Sequence, residues 1–343
     1  MIVYTVIMAG GRGRRFWPAS TEKKPKQFLP IFGDKSLIIQ TKERIESLIP
    51  LERIKVVTTP KLKNEIEEFG FSRENILVEP EGMNTLYAIA LSAAKLLEEN
   101  EKALMLTLPS DHWISDVEEF LKTIKKGIKW AERGYLVTYG IVPSRPETGY
   151  GYIERGQKLE DSVMKAKRFT EKPKIKTAND YLKSKNFLWN SGIFLWQAET
   201  ILDEIKKYRP EISEYIDAIR ENPNEENIKV LYEKGSPVSI DYGVLERSEK
   251  VVFVESHFLW DDVGTWTSLE RIEPADDKKN VKKGNIIAIN CHDNIFYSDN
   301  GIIVVKGLSK MVVVRTKSAT LIIPKADTQE LKEIVEQLPE RYK

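Results

Sequence analysis

Residues 2–13 read IVYTVIMAGGRG, an apolar run that leads directly into a glycine-rich turn. The β-branched run Ile2–Met8 predicts a buried strand. The glycines at positions 10, 11 and 13 would let the backbone approach a phosphate closely, with its N–H groups pointing inward. Ligands of parallel α/β sheets bind at the carboxyl ends of the strands, where this turn would lie. The opening stretch therefore predicts an α/β fold with an anion site beside its first strand.

The same alternation of elements continues to about residue 260. Short apolar runs predict further strands, and segments with a 3.6-residue period predict helices between them. Asn84 is suited to cap one of these helices. The clearest strands are expected at Ile54–Thr58, Ala103–Leu108, Leu136–Gly140 and Gly192–Trp196, and the clearest helices at Asn84–Glu99 and Asp116–Arg133. We expect a Rossmann-like mixed, mostly parallel sheet with helices on both faces.

The composition changes after Arg271, where a polar, turn-rich segment precedes several short Ile/Val runs. These runs predict a small all-β unit, and the pattern alone leaves open a sandwich fragment or the coils of a β-solenoid. Residues 327–338 predict a closing amphipathic helix. The chain would thus divide into an α/β domain at residues 1–268 and a C-terminal β domain at residues 269–343.

The Ile/Val runs of the C-terminal domain also predict a partner. They lie at residues 286–289, 302–305, 311–314 and 321–323, and they are more than a unit of this size can bury. An open strand edge with apolar side chains invites pairing with another chain. We therefore expect a homodimer in which this segment contributes to the contact.

Composition and charge exclude several classes of protein. Of 343 residues, 41% are hydrophobic and 31% charged, as in an ordinary globular protein. The formal net charge of +1 provides no basic field for nucleic acid or an anionic membrane surface. A single cysteine, Cys291, and three histidines argue against disulfides, Cys-based metal clusters and His-rich metal sites. Because signal-peptide features and long apolar stretches are absent from the sequence, we expect a cytoplasmic protein without nucleic-acid or membrane partners.

Two common phosphate-binding motifs do not match the glycine-rich turn. A dinucleotide-binding fingerprint would need glycine at position 16, where Phe16 stands, and a P-loop would need Gly-Lys-Ser/Thr in place of Arg14-Arg15-Phe16. What remains is a glycine loop with four nearby cations, Arg12, Arg14, Lys24 and Lys26, which suits a polyphosphate. For the loop alone, a tight turn with solvated basic residues is the alternative.

Acidic residues follow two other apolar runs. Asp111 comes after the strand expected at 103–108, and Asp261-Asp262 follows the run before Trp260. Each aspartate alone would more often be a turn or helix cap. Two carboxylates from separate strands, beside a phosphate loop, are the hard oxygen ligands that Mg²⁺ prefers. Together with the loop they predict a magnesium site.

The loop and its surroundings have the order of a known family. Residues 10–20 read GGRGRRFWPAS and residues 25–28 read PKQF. This order resembles the signature of the sugar-1-phosphate nucleotidylyltransferases, and the Trp-Pro and Pro-Lys-Gln-Phe parts are similar to the mannose-1-phosphate guanylyltransferase branch. Further blocks similar to that family follow in its order, at residues 79–85, 109–112, 147–153, 171–173, 189–194, 239–242 and 260–266. The resemblance identifies residues 1–268 as the catalytic domain, and in related enzymes the C-terminal domain is a left-handed β-helix.

The resemblance implies a reaction in which mannose 1-phosphate attacks the α-phosphorus of GTP in line, giving GDP-mannose and pyrophosphate. No protein nucleophile is needed, because the attacking phosphate is already anionic and the enzyme must mainly align two anions and offset their charge. The implied catalytic residues are Arg14, Lys26, Asp111, Lys172 and Asp262, with Asp111 and Asp262 holding Mg²⁺. The implied nucleotide-binding residues are Ala9, Gly10, Gly11, Arg12, Gly13, Arg14, Lys26, Glu79, Asn84, Thr85 and Asp111, and the implied sugar-phosphate-binding residues are Gly149, Glu171, Lys172, Asn190 and Gly192.

Some positions depart from the family pattern or allow two interpretations. Asp262 is preferred to Asp261 because it aligns with the aspartate that precedes the x-Gly-x-Trp part of its block. Met83 stands where the family often has arginine, at a position that the chemistry does not need. The segment 239–241 could contact the sugar or, equally well, cap a helix with Glu246 later in the turn.

The expected base is guanine. A carboxylate at Glu79 could accept from both the N1–H and the 2-amino group of guanine, a pairing that adenine does not offer. The nearest rival is a sister enzyme for another sugar phosphate or nucleotide. A second rival, a catalytically weak sugar-nucleotide-binding regulatory homologue, is disfavoured by the intact set of Arg14, Lys26, Asp111 and Asp262. A bifunctional enzyme with isomerase activity is not expected, since the chain lacks an additional domain and the His/Glu set of a zinc isomerase.

Overall fold

The computed structural model describes residues 1–11 and 13–343. They form two compact units, each described by itself below. The sheet unit comprises Met1–Gly10, Thr41–Pro109 and Ile114–Leu259, and the β-coil unit comprises Gly11–Gln40, Ser110–Trp113 and Trp260–Lys343. The expected boundary between residues 268 and 269 concerns domains that fold independently, and it stays a prediction.

The helices and strands lie as follows. The strands up to residue 261 are β1 (Ile2–Met8), β2 (Ile54–Thr58), β3 (Ile76–Val78), β4 (Ala103–Pro109), β5 (Trp113–Ile114), β6 (Leu136–Ile141), β7 (Tyr152–Glu160), β8 (Val163–Thr170), β9 (Phe187–Gln197), β10 (Val251–Ser256) and β11 (Trp260–Asp261). The helices are α1 (Leu37–Glu46), α2 (Lys63–Glu68), α3 (Thr85–Glu99), α4 (Val117–Ala131), α5 (Ile175–Ser184), α6 (Ala198–Tyr208), α7 (Ser213–Glu221), α8 (Glu225–Lys234), α9 (Leu269–Ile272) and α10 (Leu331–Glu336). No helix in the described part of the chain is long and apolar enough to cross a bilayer.

The sheet unit is built on a nine-stranded sheet with the order β3-β2-β1-β4-β9-β6-β10-β8-β7. Strands β1 to β4 pair in parallel, whereas β9 is antiparallel to β4 and β6, and β8 is antiparallel to β10 and β7. All strands except β8 and β9 therefore point the same way, which confirms the mixed, mostly parallel sheet. Met8 pairs with Pro109, so the chain leaves β1 and β4 side by side at one edge of the sheet.

Helices cover both faces of this sheet, as expected. On one face Val6, Met105 and Phe194 join a core with the buried sides of α3, α6, α7 and α8. On the other face the Tyr139 hydroxyl donates to the Ile124 carbonyl of α4 at 3.2 Å. A Cβ on Gly127 would lie 2.5 Å from that hydroxyl, which explains why a glycine stands inside α4.

Most of the strands and helices named from the sequence are confirmed. The expected helix at 84–99 is α3, and Asn84 caps it by accepting from the Thr85 N–H at 2.8 Å. The strand expected at Gly192–Trp196 is longer in the structure, because β9 (Phe187–Gln197) runs through the polar residues 190 and 191 that broke the apolar pattern. The expected closing helix at 327–338 is shorter, since α10 covers only Leu331–Glu336 after a 3₁₀ turn at Lys325–Asp327.

The C-terminal strands form the four-stranded sheet of the β-coil unit. They are β12 (Val281–Ile289), β13 (Ile295–Lys306), β14 (Met311–Arg315) and β15 (Thr320–Pro324), in that order. β12 to β14 pair in parallel, so that Val281 pairs with Ile295, and Ile295 with Val312. Parallel neighbours joined by short connections without a helix are stacked coils, so the solenoid and not the sandwich is the correct alternative.

The core of the β-coil unit also contains the glycine-loop segment. Trp266 lies at its centre, with ring centroids 5.0 Å from both Phe16 and Tyr297. The Trp266 indole N–H donates to the Trp17 carbonyl at 3.0 Å. The side chain of Leu331 from α10 is fully buried in the same core. The aromatic residues after the glycine loop are therefore packing residues that hold the loop against the C-terminal strands.

Candidate active site

A cavity of about 630 Å³ in the β-coil unit brings together the charged residues of the glycine loop, both aspartate segments and α10. The residues of its lining that matter for the chemistry are Arg14, Lys26, Asp111, Asp262, Lys332 and Glu336. The first four were expected from the sequence to act together. Lys332 and Glu336 were not foreseen, because a closing helix carries no motif.

Lys26 connects the glycine loop to both aspartate segments. Its side chain is buried, and its ammonium nitrogen lies 2.7 Å from the Asp111 carboxylate. It also donates to the carbonyls of Asp262 at 3.0 Å and Val263 at 2.7 Å. An ammonium has three N–H donors, so these three partners occupy all of them. Lys26 thus positions Asp111 and the 262–263 backbone in this structure, and its expected contact with the triphosphate stays a prediction.

Asp111 is kept ionised by its neighbours. Burial would raise the pKa of the Asp111 carboxyl group. The charges of Lys26 and His112, and the hydrogen bond from Lys26, outweigh burial and hold this pKa below its usual value. An ionised carboxylate is available to a cation at every pH near neutrality.

The two adjacent aspartates have different surroundings. Asp261 is buried and forms an ion pair with Arg271, and it accepts from the Val263 N–H at 2.8 Å. Asp262 instead lines the cavity and accepts from the Gly264 N–H at 3.1 Å. Val263 between them has a φ of 52°, a conformation that a β-branched residue rarely adopts. The structure therefore directs Asp262 to the cavity, through a strained turn that Asp261 and Lys26 hold in place.

The loop itself is shaped by close packing against Lys26. Gly13 has a φ of 59°, and a Cβ there would lie 2.5 Å from the Lys26 Cβ. The Gly11 carbonyl accepts from the Gln27 amide at 3.1 Å. Ala9 and Gly10 belong to the end of the sheet unit, and Arg12 lies outside the described residues.

Arg14 is paired with two carboxylates. Its guanidinium lies 3.1 Å from Glu336 and 3.4 Å from Glu22. All three side chains are partly exposed, so the pairs can exchange with other anions. An anionic ligand would therefore have to replace Glu336 and Glu22 as the partner of Arg14 in this cavity.

In the sheet unit, Glu79 is a buried carboxyl group near the glycine turn. It accepts from the Tyr232 hydroxyl at 3.1 Å, and a Cβ on Gly10 would lie 2.9 Å from its Oε1. Burial raises the pKa of Glu79 to about 7, although the hydrogen bond from Tyr232 opposes this. Thr85, beside the cap residue of α3, accepts from the Ile240 N–H at 2.9 Å.

The expected sugar-binding residues form a second polar cluster in the sheet unit. The Lys172 ammonium lies 2.5 Å from the Glu171 carboxylate, and the Glu171 N–H donates to Glu246 at 2.7 Å. The Asn190 amide is fixed at both ends, because Thr138 donates to its oxygen at 2.8 Å and its nitrogen donates to Asp241 at 3.0 Å.

The other expected sugar contacts are backbone positions of this unit. Gly192 has a φ of 70° and donates to the Asn190 side chain at 3.3 Å. The Gly149 N–H donates to the Glu147 carboxylate at 3.1 Å, so a sugar hydroxyl would have to compete with Glu147 for it.

Asp241 is the residue of this cluster that the sequence left open. Ser239 accepts from the Tyr242 N–H at 3.3 Å, as a cap would, whereas Asp241 takes part in the cluster through Asn190. Burial first and the neighbouring charge of Glu171 second raise the pKa of Asp241 to about 7, while Lys172 opposes them. The motif block at 239–242 indicated this segment, but only the fold brings Asp241 beside Glu171.

Comparisons with known proteins identify the family. Residues 4–279 match the nucleotidyl transferase family model, and residues 284–338 match the model of the MannoseP isomerase/GMP-like beta-helix domain. The chain is 39% identical over 343 residues to the mannose-1-phosphate guanylyltransferase RfbM of Salmonella typhimurium. The aligned region covers 97% of this chain and 72% of that protein. The chain belongs to the mannose-1-phosphate guanylyltransferase branch of the nucleotidyl transferase family.

Two solved structures are similar to this chain in sequence and in fold. A crystal structure described as mannose-1-phosphate geranyltransferase from Thermus thermophilus is 34% identical, with a TM-score of 0.91 over 98% of this chain and 99% of that one. A mannose-6-phosphate isomerase from Helicobacter pylori is 30% identical, with a TM-score of 0.61 over 76% of this chain and 100% of that one. The family match confirms a β-helix domain at the C-terminus, and its left-handedness stays a prediction.

Nucleotidyl transferases of this family generally use a divalent metal ion. The described residues contain no group of three or more His, Cys, Asp or Glu side chains placed to hold a metal. Asp111 and Asp262 nevertheless fit a hard cation, because both are carboxylates that line one cavity and the pKa of Asp111 is lowered. One or two carboxylates, with waters and substrate phosphates, are the usual Mg²⁺ ligands at phosphoryl-transfer sites.

Proposed function

We propose that this chain transfers GMP from GTP to α-D-mannose 1-phosphate, giving GDP-mannose and pyrophosphate. The observation that carries the proposal is the convergence of Arg14, Lys26, Asp111 and Asp262 on one cavity, in a chain whose relatives are mannose-1-phosphate guanylyltransferases. Two anionic substrates need concentrated positive charge, and this cavity is lined by cations and by carboxylates able to hold a metal.

The proposed reaction is an in-line displacement at phosphorus. A phosphate oxygen of mannose 1-phosphate forms a bond to the α-phosphorus of GTP, and the bond from that phosphorus to the bridging oxygen breaks, so that pyrophosphate leaves. The glycine-loop amides and Arg14 would bind the triphosphate, and Lys26 would keep Asp111 in place. When bound by Asp111 and Asp262, Mg²⁺ would supply positive charge between the phosphates.

The sugar phosphate would lie at the second polar cluster. Lys172 would meet its phosphate, and Glu171 and Asn190 would contact the hydroxyl groups of mannose. The fixed Asn190 amide supports this assignment, because its oxygen already accepts from Thr138 and Gly192, and its nitrogen, held by Asp241, has one N–H donor left for a hydroxyl group.

Glu79 would select the base. An ionised Glu79 can accept from the N1–H and 2-amino groups of guanine, whereas adenine has an acceptor at N1. Its burial supports this role, because discrimination by hydrogen bonds is strongest where water does not compete.

The test is a panel of nucleoside triphosphates and sugar 1-phosphates in which pyrophosphate release is measured. We expect the highest kcat/KM for GTP with mannose 1-phosphate. A different best pair would indicate a sister enzyme, and binding of GDP-mannose without turnover would indicate a regulatory homologue. Because one similar structure is named a mannose-6-phosphate isomerase, isomerisation of mannose 6-phosphate is assayed in parallel, and we expect none.

We also propose a homodimer through the exposed face of β12 and β13. Ile287 and Val304 pair across these strands, and with Ile289 and Ile302 they form an apolar face whose side chains are between 48% and 62% exposed. β12 is an edge strand, so a second copy could cover both this face and its edge. A cytoplasmic location remains a prediction from the sequence.

Sedimentation velocity tests the dimer. We expect the full chain to sediment as a dimer and Val304→Lys as a monomer, with Ile322→Lys on β15 as a control of equal exposure. A truncation at Arg271 is a poor test, because it would remove Tyr297 and Leu331 from the core around Trp266. A dimer that survives Val304→Lys would place the interface elsewhere.

A further inference from the structure

The C-terminal helix α10 presents charged side chains to the cavity. Leu331 and Val335 are buried in the core of the β-coil unit together with Phe16 and Trp17. Residues four apart lie on the same side of a helix. Lys332 and Glu336, one position further along, both line the cavity. The buried pair thus anchors the helix, and the charged pair is directed to the site.

The end of the chain is held to the loop by a further contact. The Trp17 indole N–H donates to the Tyr342 carbonyl at 2.7 Å. Leu338 also packs partly against the same core. Contacts on both sides of residues 332–336 therefore fix α10 beside the glycine loop.

The cationic side chains of the cavity differ in how many hydrogen-bond and ion-pair partners they already have. All three donors of Lys26 are occupied by Asp111 and two carbonyls. Arg14 is shared between Glu336 and Glu22. Within the described residues, no carboxylate lies at ion-pair distance from Lys332, which is exposed to the cavity. Lys332 is therefore better placed than Lys26 to meet a new anion without giving up a partner.

We propose that α10 is part of the polyphosphate site, with Lys332 as a binding residue for the β- and γ-phosphates and Glu336 as a removable partner that holds Arg14 in position. The inference rests on the proposed function in taking a triphosphate as substrate. A polyphosphate carries more negative charge than one carboxylate, so on binding it would replace Glu336 as the ion-pair partner of Arg14. The same residues would hold pyrophosphate as it leaves.

The first experiment measures the binding of inorganic pyrophosphate with magnesium to the full chain by calorimetry. We expect Lys332→Gln to weaken binding about tenfold, as for the loss of one good charge-assisted contact. Lys317→Gln, an exposed lysine of the same unit outside the cavity, is the matched control and should bind as the wild type does. In turnover, Lys332→Gln should raise KM for GTP and leave KM for mannose 1-phosphate unchanged.

The second experiment tests the role of Glu336. We expect Glu336→Gln to tighten pyrophosphate binding several-fold, because the competing carboxylate is gone, while Glu333→Gln on the same helix has no such effect. In an Arg14→Gln background most of this gain should disappear, because Glu336 then has no arginine to compete for. The four proteins form a double-mutant cycle, which measures the interaction between Arg14 and Glu336. Thermal unfolding of each variant verifies that α10 remains packed.

Distinct outcomes would overturn the inference and the proposed function. If Lys332→Gln binds pyrophosphate like Lys317→Gln, or Glu336→Gln tightens binding equally with and without Arg14, α10 has only a packing role. If the wild-type chain does not bind pyrophosphate at all, both fail, because pyrophosphate is a product of every nucleotidyl transfer from a triphosphate.

Discussion

The cavity of the β-coil unit and the polar cluster of the sheet unit treat their carboxyl groups in opposite ways. In the cavity, the neighbouring Lys26 lowers the pKa of Asp111 in spite of burial. In the sheet unit, burial raises the pKa of both Glu79 and Asp241 to about 7. The cavity therefore keeps permanent negative charge for a cation, whereas the sheet unit has carboxyl groups that exchange protons near neutral pH. This difference suits a metal and phosphates in the cavity, and a base and sugar hydroxyls in the sheet unit.

The largest expected effect tests the permanent charge in the cavity. Asp262→Asn should lower kcat on the order of 100-fold or more, because a metal between phosphates supplies several kcal/mol of charge stabilisation. Asp111→Asn should do the same, and the double variant should be little worse than either single if both residues act through one ion, as proposed. Steady-state kinetics over a range of Mg²⁺ concentrations measures the effect.

Asp261→Asn is the matched control for this comparison. It removes a buried ion pair with Arg271 and should lower the free energy of unfolding by about 2 kcal/mol, with the Mg²⁺ dependence unchanged. Normal turnover in Asp262→Asn with loss of turnover in Asp261→Asn would reverse the assignment.

The next effect concerns the cation that lowers the pKa of Asp111. Lys26→Met should lower the free energy of unfolding by about 2 kcal/mol, the typical loss of a hydrogen bond to a charged group, and allow the pKa of Asp111 to rise, because burial then acts with less opposing charge. Since the wild-type pKa is lowered, the stabilising pair is present at neutral pH and lost only as pH falls through that lowered pKa. Denaturant unfolding at pH 7 and pH 3 measures this, with the exposed Lys24→Met as control. An equal loss of stability in both variants would contradict the role of the pair.

A smaller effect is expected at Glu79. Glu79→Gln should relax the preference for GTP over ATP by about tenfold. Loss of a hydrogen bond to a charged group typically costs about 1.5 kcal/mol or more, and that free energy corresponds to a factor of about ten in affinity. The wild-type preference should also fall below pH 7, where Glu79 is protonated, and the variant should not show this change. Because burial raises the pKa of Glu79, its ionisation costs stability at high pH, so the variant should melt above the wild type at pH 8. Unchanged discrimination in the variant would mean that another group reads the base.

The smallest effect is expected at Asp241. As pH rises from 6 to 8, ionised Asp241 adds negative charge near Lys172, so KM for mannose 1-phosphate should rise. Asp241→Asn keeps an acceptor for the Asn190 amide but cannot ionise. The rise in KM should therefore be about 2- to 5-fold smaller in this variant, because a screened charge interaction contributes up to about 1 kcal/mol. Parallel KM profiles measure the difference. Identical profiles would show that Asp241 does not titrate in this range.

The sequence predicts best those parts of the site whose contacting residues lie close together in the chain. Gly13 and Lys26 are close in sequence, and their contact forms the loop that the glycine spacing indicated. The register of β1 with β4 likewise brings the carboxyl ends of these two strands side by side, as expected. Lys332 and Glu336 could not be found in this way, because they reach the cavity only through the packing of Leu331 and Val335 in a distant core.

The sequence predicts the α/β alternation, the family and four of the charged residues that line the cavity, namely Arg14, Lys26, Asp111 and Asp262. These follow from local apolar periods and from motifs, which need no knowledge of distant contacts. The tertiary structure adds Lys332 and Glu336 to the cavity, gives the physical reason why Asp262 rather than Asp261 is directed to it, and determines which carboxyl groups have raised pKa values. Those outcomes depend on burial and on charges brought together from far along the chain, such as Lys26 beside the Asp262 carbonyl and Glu171 beside Asp241. Electrostatic energy is determined by distance in space and by the surrounding medium, and sequence separation specifies neither.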